Sequence, residues 1–271
     1  MVRHFLNPPN WFTSASIFCS VYAILLATGG QADADTLRTA AVLVVLGGIF
    51  DMMDGRVARR LNRYSEFGVQ LDSIADIISF GVAPALIAWS WMLHELGPVG
   101  VFATFWYVLC AAFRLARFNV STQRHDWELP GHSQGMTSTM AGGSLVSFVW
   151  MANGYLEGVL VPTSGQLAIL VIALGGLMVS SIPYRNFRDY AINPRARRFF
   201  AMALAASLGG ALFAMQLSAL FGLGALLYLT VGTVDGVVVA AMRRMGGLKL
   251  PGDDEEAELA ALDAASPPQG D

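Results

Sequence analysis

The stretch that decides the fold runs from residue 51 to residue 76, where acidic residues interrupt a strongly apolar sequence. It reads Asp51-Met-Met-Asp54-Gly55-Arg56-Val-Ala58-Arg59, then eight residues, then Gly68-Val-Gln-Leu-Asp72-Ser-Ile-Ala-Asp76. Charged side chains at membrane depth are costly, so they are seldom present without a partner or a function. Four acids in one such stretch also need nearby cations to remain ionised together. The stretch therefore predicts a membrane protein whose acids share a site.

The spacing predicts that these acids converge. A helix over residues 37–60 would carry two acids, two small residues and an arginine on one broad face: Asp51, Asp54, Gly55, Ala58 and Arg59. Asp72 and Asp76 are four residues apart and share one face of the next helix. In an antiparallel helix pair joined near Tyr64, the four carboxylates lie at similar depth. We therefore expect them to form one cluster.

The residue types in this cluster predict a divalent metal site. Hard cations prefer carboxylate oxygens, and the cluster contains neither Cys nor His. Four carboxylates can hold one or two Mg²⁺ or Mn²⁺ ions and leave positions open for phosphate oxygens. Gly55 and Ala58 leave room for a ligand, and Arg59 can add a bidentate phosphate contact. This combination favours phosphoryl transfer.

Two other interpretations of the cluster are possible. The acids can form structural ion pairs with the neighbouring arginines, but this leaves unexplained why four acids share one depth. The protein can also be a cation transporter or channel with acids inside the membrane. Transport gives no reason for a phosphate-binding arginine at residue 59.

Composition and charge predict an all-α, polytopic membrane bundle. The chain is 55% hydrophobic and 14% charged, well below the roughly 25% charged residues of soluble domains. Basic residues fall in alternate connections, which places both termini and the acidic site in the cytoplasm if there are eight spans. We expect a multi-pass protein of the inner membrane. The eight predicted spans are residues 12–29, 37–60, 68–92, 98–119, 135–152, 163–183, 198–216 and 219–242.

The charge distribution divides the chain into a membrane domain, residues 1–250, and an acidic disordered tail, residues 251–271. The tail carries seven acids and no base, whereas the rest carries 17 basic and 13 acidic residues. A basic cytoplasmic rim suits an anionic lipid substrate in the bilayer. We expect no nucleic-acid partner, because no folded basic domain remains outside the membrane.

With these residues the chain resembles the CDP-alcohol phosphotransferase family. The family pattern, D-x2-D-G-x2-A-R-x8-G-x3-D-x3-D, is matched at every specified position. The resemblance implies a metal-dependent membrane enzyme, forming a homodimer, in which an alcohol displaces CMP from a CDP-linked lipid. It implies that all four acids bind metal, that Asp76 is the general base, and that the CDP diphosphate contacts Asp54, Gly55, Ala58, Arg59 and Ser65. A catalytically silent scaffold is the remaining alternative.

Further patches resemble the phosphatidylserine synthase branch of that family. They are the run from Asp72 to Ala85, with Ser73 and Ile77 after the third and fourth acids, and Arg114-Leu-Ala-Arg117-Phe-Asn119. This resemblance implies CDP-diacylglycerol and L-serine as substrates. Residues 131–143 depart from the branch, because hydroxyl residues replace its usual prolines. Glycerol 3-phosphate, an inositol compound or choline therefore remain alternative acceptors.

A second group of polar residues lies at the end of the fourth predicted span. Arg114 and Arg117 are three residues apart and lie on one helix face, with Asn119 close behind. We expect the three to bind the acceptor carboxylate or a lipid phosphate. The alternative is that both arginines only anchor the helix at the lipid headgroups.

Overall fold

The computed structural model describes residues 7–30, 32–61, 65–124, 132–154, 162–185 and 217–244. These residues form eight α-helices, one π-helical segment, one short 3₁₀ turn and two short strands. The α-helices are α1 (Pro8–Thr28), α2 (Ala34–Leu61), α3 (Glu66–Asp76), α4 (Ala83–Trp91), α5 (Pro98–Arg124), α6 (Ser138–Ala152), α7 (Ser164–Val179) and α8 (Leu217–Arg244). The largely helical fold confirms the predicted helical class.

The first two helices form a closely packed hairpin that supports the acidic stretch. Helix α1 packs directly against α2, which follows it closely in the sequence. Small side chains lie at the contact, where Ala23 and Ala27 of α1 pack with Ala40, Ala41 and Val44 of α2. Small residues let helix backbones approach closely, which is the usual solution when lipid surrounds the bundle.

The third predicted span is an interrupted helix. Ser65 caps the start of α3, and its Oγ accepts a hydrogen bond from the Gly68 backbone N–H at 3.0 Å. After Asp76 the chain continues as a π-helical segment, Ile77–Val82, which leads into α4. We call residues 77–82 the π segment. It begins directly after the fourth acid of the motif.

Membrane-spanning character is supported for five stretches of the described residues. By length and hydropathy, helices Pro8–Thr28, Ala34–Ala58, Phe67–Trp91, Pro98–Ser121 and Gly222–Val239 can cross a bilayer. Helices α6 and α7 also coincide with predicted spans, but each is shorter than the span predicted for it. Helix α7, for example, ends at Val179, four residues before the predicted end of its span. The predicted span at 198–216 and the tail at 251–271 lie outside the described residues. The count of eight spans and the cytoplasmic termini therefore stay predictions.

One element departs from the all-α prediction. Strands β1 (His132–Gln134) and β2 (Pro183–Arg185) pair antiparallel, with Ser133 opposite Tyr184. The sequence offers too few alternating residues at either place to signal a strand. The pairing joins a segment that follows α5 in the sequence to one that follows α7.

Candidate active site

The acids of the motif come together at the facing surfaces of α2 and α3. Carboxylate oxygens of Asp51, Asp54 and Asp72 all lie within 4.8 Å of one another. Asp76, one turn beyond Asp72, interacts electrostatically with the other acids, and its carboxyl group is close enough to Asp51 to share a hydrogen bond. The expected convergence is therefore present, with three acids in a tight group and the fourth beside them.

Helix α1 also contributes to this group. The Thr13 hydroxyl donates a 2.6 Å hydrogen bond to Asp54 Oδ2. Asp54 is only 6% exposed, so this contact satisfies one oxygen of a buried carboxylate. Sequence reasoning did not find Thr13, because its partner lies 41 residues away and no local pattern joins them.

One carboxylate oxygen of Asp51, Oδ1, is buried and accepts no hydrogen bond from the described part of the chain. Burying a carboxylate oxygen without a partner costs free energy. A cation bound among the three acids would supply that partner.

An open pocket with a cavity volume of about 130 Å³ extends from the acids along α2 and α3. Asp54 and Asp72 form its acidic wall, whereas Asp76 does not line it. The other lining residues are mostly small or polar: Pro9, Asn10, Thr13, Gly55, Ala58, Ser65, Gly68 and Val69.

Four of the five residues expected to contact the CDP diphosphate line this pocket: Asp54, Gly55, Ala58 and Ser65. Ser65 also caps α3, so its hydroxyl already holds the helix start. Arg59 belongs to α2, but its side chain lies outside the described part of the structure. Pro9 and Asn10, which precede the first predicted span, were not predicted as site residues.

Arg114, in α5, is close enough to Asp76 for their charges to interact. It is 8% exposed. Its Nη1 donates a 2.9 Å hydrogen bond to Ser138 Oγ, and its guanidinium lies 5.7 Å from the centre of the Phe118 ring. A buried guanidinium needs such partners, because its desolvation is costly. Ser138 is a further contact that the sequence did not reveal.

Arg117 has a different environment from the one expected. Its Nη1 donates to the carbonyl of Val179 at 2.9 Å, and its Nη2 donates to the carbonyls of Gln134, Met178 and Ser180 at 2.9, 3.2 and 3.4 Å. These carbonyls belong to the end of α7 and to β1. A cation is favourable there, because the last carbonyls of a helix lack backbone donors. The contacts identify Arg117 as a structural link between α5, α7 and β1, and its expected place beside the acceptor stays a prediction.

Asn119 contacts α3 but not the acids. Its Nδ2 donates a 3.1 Å hydrogen bond to Ser73 Oγ. Ser73 follows Asp72 directly, so the contact joins α5 to the acid-bearing helix. Of the three residues expected near the acceptor, Arg114 alone acts directly on an acid.

A family comparison adds to this geometry. A model of the CDP-alcohol phosphatidyltransferase family matches residues 6–180, which is more than half of the chain. The chain belongs to the CDP-alcohol phosphatidyltransferase family. The match covers all four acids, the pocket, Arg114 and the first seven helices.

Several curated members of this family are similar over most of their length. A Helicobacter pylori protein named CDP-diacylglycerol–serine O-phosphatidyltransferase is 39% identical over 194 residues, covering 69% of this chain and 77% of the relative. Proteins of the same name from Bacillus subtilis and Methanocaldococcus jannaschii are 37% and 31% identical. Those alignments cover 56% and 69% of this chain and 78% and 77% of the relatives.

The acids fit the divalent metal that this family generally uses. All donors are hard carboxylate oxygens, they approach one another closely, and Asp51 Oδ1 needs a partner. Asp51, Asp54 and Asp72 are the three residues that best match one ion. Asp76 is near enough to complete a larger set.

Proposed function

We propose that this protein transfers the phosphatidyl group of CDP-diacylglycerol to the hydroxyl of L-serine, forming phosphatidylserine and releasing CMP. The curated relatives with this activity in their names support the choice of substrates. The observation that carries the proposal is the cluster of three carboxylates within 4.8 Å, of which two, Asp54 and Asp72, line an open pocket. Such a site suits a diphosphate, whose charge must be neutralised during transfer.

The pocket is proposed to hold the CDP part of the donor. Gly55 and Ala58 leave space for the diphosphate to approach α2 closely, and Ser65 offers its hydroxyl at the pocket wall. Arg59 is proposed to contact the diphosphate, because guanidinium groups bind phosphate oxygens in pairs. Thr13 would hold Asp54 in one orientation at this wall.

Asp51, Asp54, Asp72 and Asp76 are proposed to hold two Mg²⁺ or Mn²⁺ ions. When bound, these ions would neutralise the diphosphate and align it for displacement. Asp51 and Asp54 come from α2, and Asp72 and Asp76 from α3, so the relative position of the two helices sets the site. A change in that position would alter all four ligands together.

The acceptor is proposed to approach from the side of Arg114. The pocket reaches Asp54 and Asp72 but not Asp76, whereas the charge of Arg114 acts on Asp76. This separation suits an in-line displacement, in which nucleophile and leaving group lie on opposite sides of the phosphorus. Arg114 would bind the serine carboxylate, with Ser138 and Phe118 holding its guanidinium.

Asp76 is proposed as the general base. It would take the proton from the serine hydroxyl while that oxygen bonds to the lipid-side phosphorus. The bond from this phosphorus to the CMP oxygen breaks, and CMP leaves with the electron pair. General-base assistance is typically worth 10²–10⁴ in rate.

We also propose an inner-membrane homodimer whose active site faces the cytoplasm. The alternation of basic connections supports this orientation. CDP-diacylglycerol would then enter from the bilayer, and serine from the cytoplasm.

The alternative is the same chemistry with another acceptor. Its support is local: Ser138, which contacts Arg114, lies in the hydroxyl-rich stretch that departs from the serine branch. A CMP-release assay with purified protein, Mg²⁺ and CDP-diacylglycerol decides between them. Serine should give the highest kcat/KM among serine, glycerol 3-phosphate, inositol and choline. A higher value for any of the others would reject serine as the acceptor.

A further inference from the structure

We propose that the Tyr107 hydroxyl is a positioning group for Asp76, acting through the π segment that follows this acid. Tyr107 lies in α5, is fully buried and does not line the pocket. Its hydroxyl donates a 3.2 Å hydrogen bond to the backbone carbonyl of Phe80. The proposal rests on the proposed function, because it assigns Asp76 a part in the reaction.

The sequence gives one reason for a donor from outside the helix at the Phe80 carbonyl. In an α-helix this carbonyl would accept from the backbone N–H of residue 84. Residue 84 is Pro, which has no N–H. The turn before it is wide, since the Ala83 N–H donates to the Ile78 carbonyl, five residues back. The Tyr107 hydroxyl therefore takes the place of the donor that Pro84 lacks.

Other contacts fix the π segment on its remaining sides. Ser79 Oγ lies 2.8 Å from Ser20 Oγ and 3.2 Å from Ser16 Oγ, and all three hydroxyls are buried between this segment and α1. On another side, α6 approaches so closely that a Cβ atom on Gly142 would lie 2.7 Å from the Phe80 carbonyl oxygen. Such fully paired buried polar groups hold one arrangement of the backbone.

The position of the π segment links it to the chemistry. Asp76 is the last residue of α3, and Ile77 is the first residue of the π segment. A shift of this segment would rotate Asp76 relative to Asp51 and Arg114, which interact with it electrostatically from α2 and α5. Because a displacement of about 1 Å in a reacting group can cost up to 10²-fold in rate, a weakened segment should lower kcat. Substrate affinity should change little, because Tyr107 is remote from the pocket.

A double-mutant cycle between Tyr107 and Pro84 tests the proposal. We expect Tyr107→Phe to lower kcat for CMP release roughly tenfold, with KM for both substrates within about twofold of wild type. Pro84→Ala restores an N–H at residue 84. In the wild-type background this substitution should change kcat by less than about threefold. In the Tyr107→Phe background it should recover most of the lost kcat, because substitutions of coupled residues are not additive. Tyr22 is an exposed tyrosine of α1, and Tyr22→Phe is the matched control. It should leave kcat and KM unchanged.

Each outcome of this cycle decides the proposal. A Tyr107→Phe variant with wild-type kcat, or additive effects of the two substitutions, would overturn it. If Tyr107→Phe alone does not fold, recovery of both the Tm and CMP release by the double variant supports the proposal, and no recovery overturns it. If wild-type protein releases no CMP with any acceptor, the proposed function fails. Coupling in the Tm between Tyr107 and Pro84 would then still support the hydrogen-bond replacement, and its absence would reject it.

Discussion

The Thr13 hydroxyl and Asp54 are joined by a 2.6 Å hydrogen bond that connects the first helix to the acids of the second and third. The contact lies at the wall of the pocket, and both residues are buried. It makes α1 part of the site, although α1 carries none of the motif acids. A substitution in α1 can therefore test how the acids are held.

Replacing Thr13 with Val keeps the shape of the side chain and removes this hydrogen bond. Bonds to charged groups are worth about 1.5–3 kcal/mol, so we expect kcat/KM for CDP-diacylglycerol to fall by roughly tenfold or more. Thr28→Val is the matched control. Thr28 lies in the same helix, and its hydroxyl donates to the Ile24 carbonyl of its own helix. Equal kcat/KM values for the two variants would remove Thr13 from the site.

Replacing Asp76 with Asn removes the proposed proton acceptor with little change in size. We expect kcat for CMP release to fall by about 10²–10⁴, while the protein stays folded. Asp35→Asn, in the first turn of α2 and remote from the motif acids, is the control. Wild-type turnover by the Asp76 variant at saturating serine would exclude Asp76 as the base.

Arg117 provides a prediction that separates structure from substrate binding. Because its guanidinium donates to four backbone carbonyls, Arg117→Ala should lower the Tm by roughly 5 °C or more. In the folded fraction, KM for serine should stay within about twofold of wild type. A strongly raised KM with an unchanged Tm would instead place Arg117 at the acceptor.

A substitution at Tyr184 is expected to maintain or raise the Tm, unlike the substitution at Arg117. Its hydroxyl is buried and, among the described residues, has no hydrogen-bond partner, and burial raises the pKa of Tyr184 to about 12. The group is therefore neutral at ordinary pH. Removing an unpaired buried hydroxyl relieves its desolvation cost. Thermal unfolding of Tyr184→Phe should give a Tm equal to or above that of wild type, and a lower Tm would indicate a missed partner.

The acid cluster could be predicted because its cause is local. Asp51 and Asp54 are three residues apart and Asp72 and Asp76 four apart, so helical geometry alone places each pair on one face. The short polar connection around residue 64 then favours an antiparallel pair. Ser65 before an apolar helical run was likewise visible, although its capping role emerged only from its contact with Gly68.

The remaining features depend on contacts between distant parts of the chain. Thr13 meets Asp54, and Tyr107 meets Phe80, across gaps of 41 and 27 residues that no spacing rule covers. Arg117 lies on the expected helix face, yet its partners come from the end of α7 and from β1. Pro84 is visible in the sequence, and proline has no backbone N–H to donate within the helix. That the Tyr107 hydroxyl donates to the Phe80 carbonyl could be found only from the packed structure.

The most direct test of the central claim is a product measurement with purified protein, CDP-diacylglycerol and isotopically labelled serine, with and without a chelator. We predict that Mg²⁺ or Mn²⁺ gives labelled phosphatidylserine and CMP in equal amounts, that EDTA abolishes both, and that added metal restores them. Labelled lipid formed at the same rate with EDTA present would contradict the role of the acids. CMP formed without labelled lipid would contradict the transfer to serine.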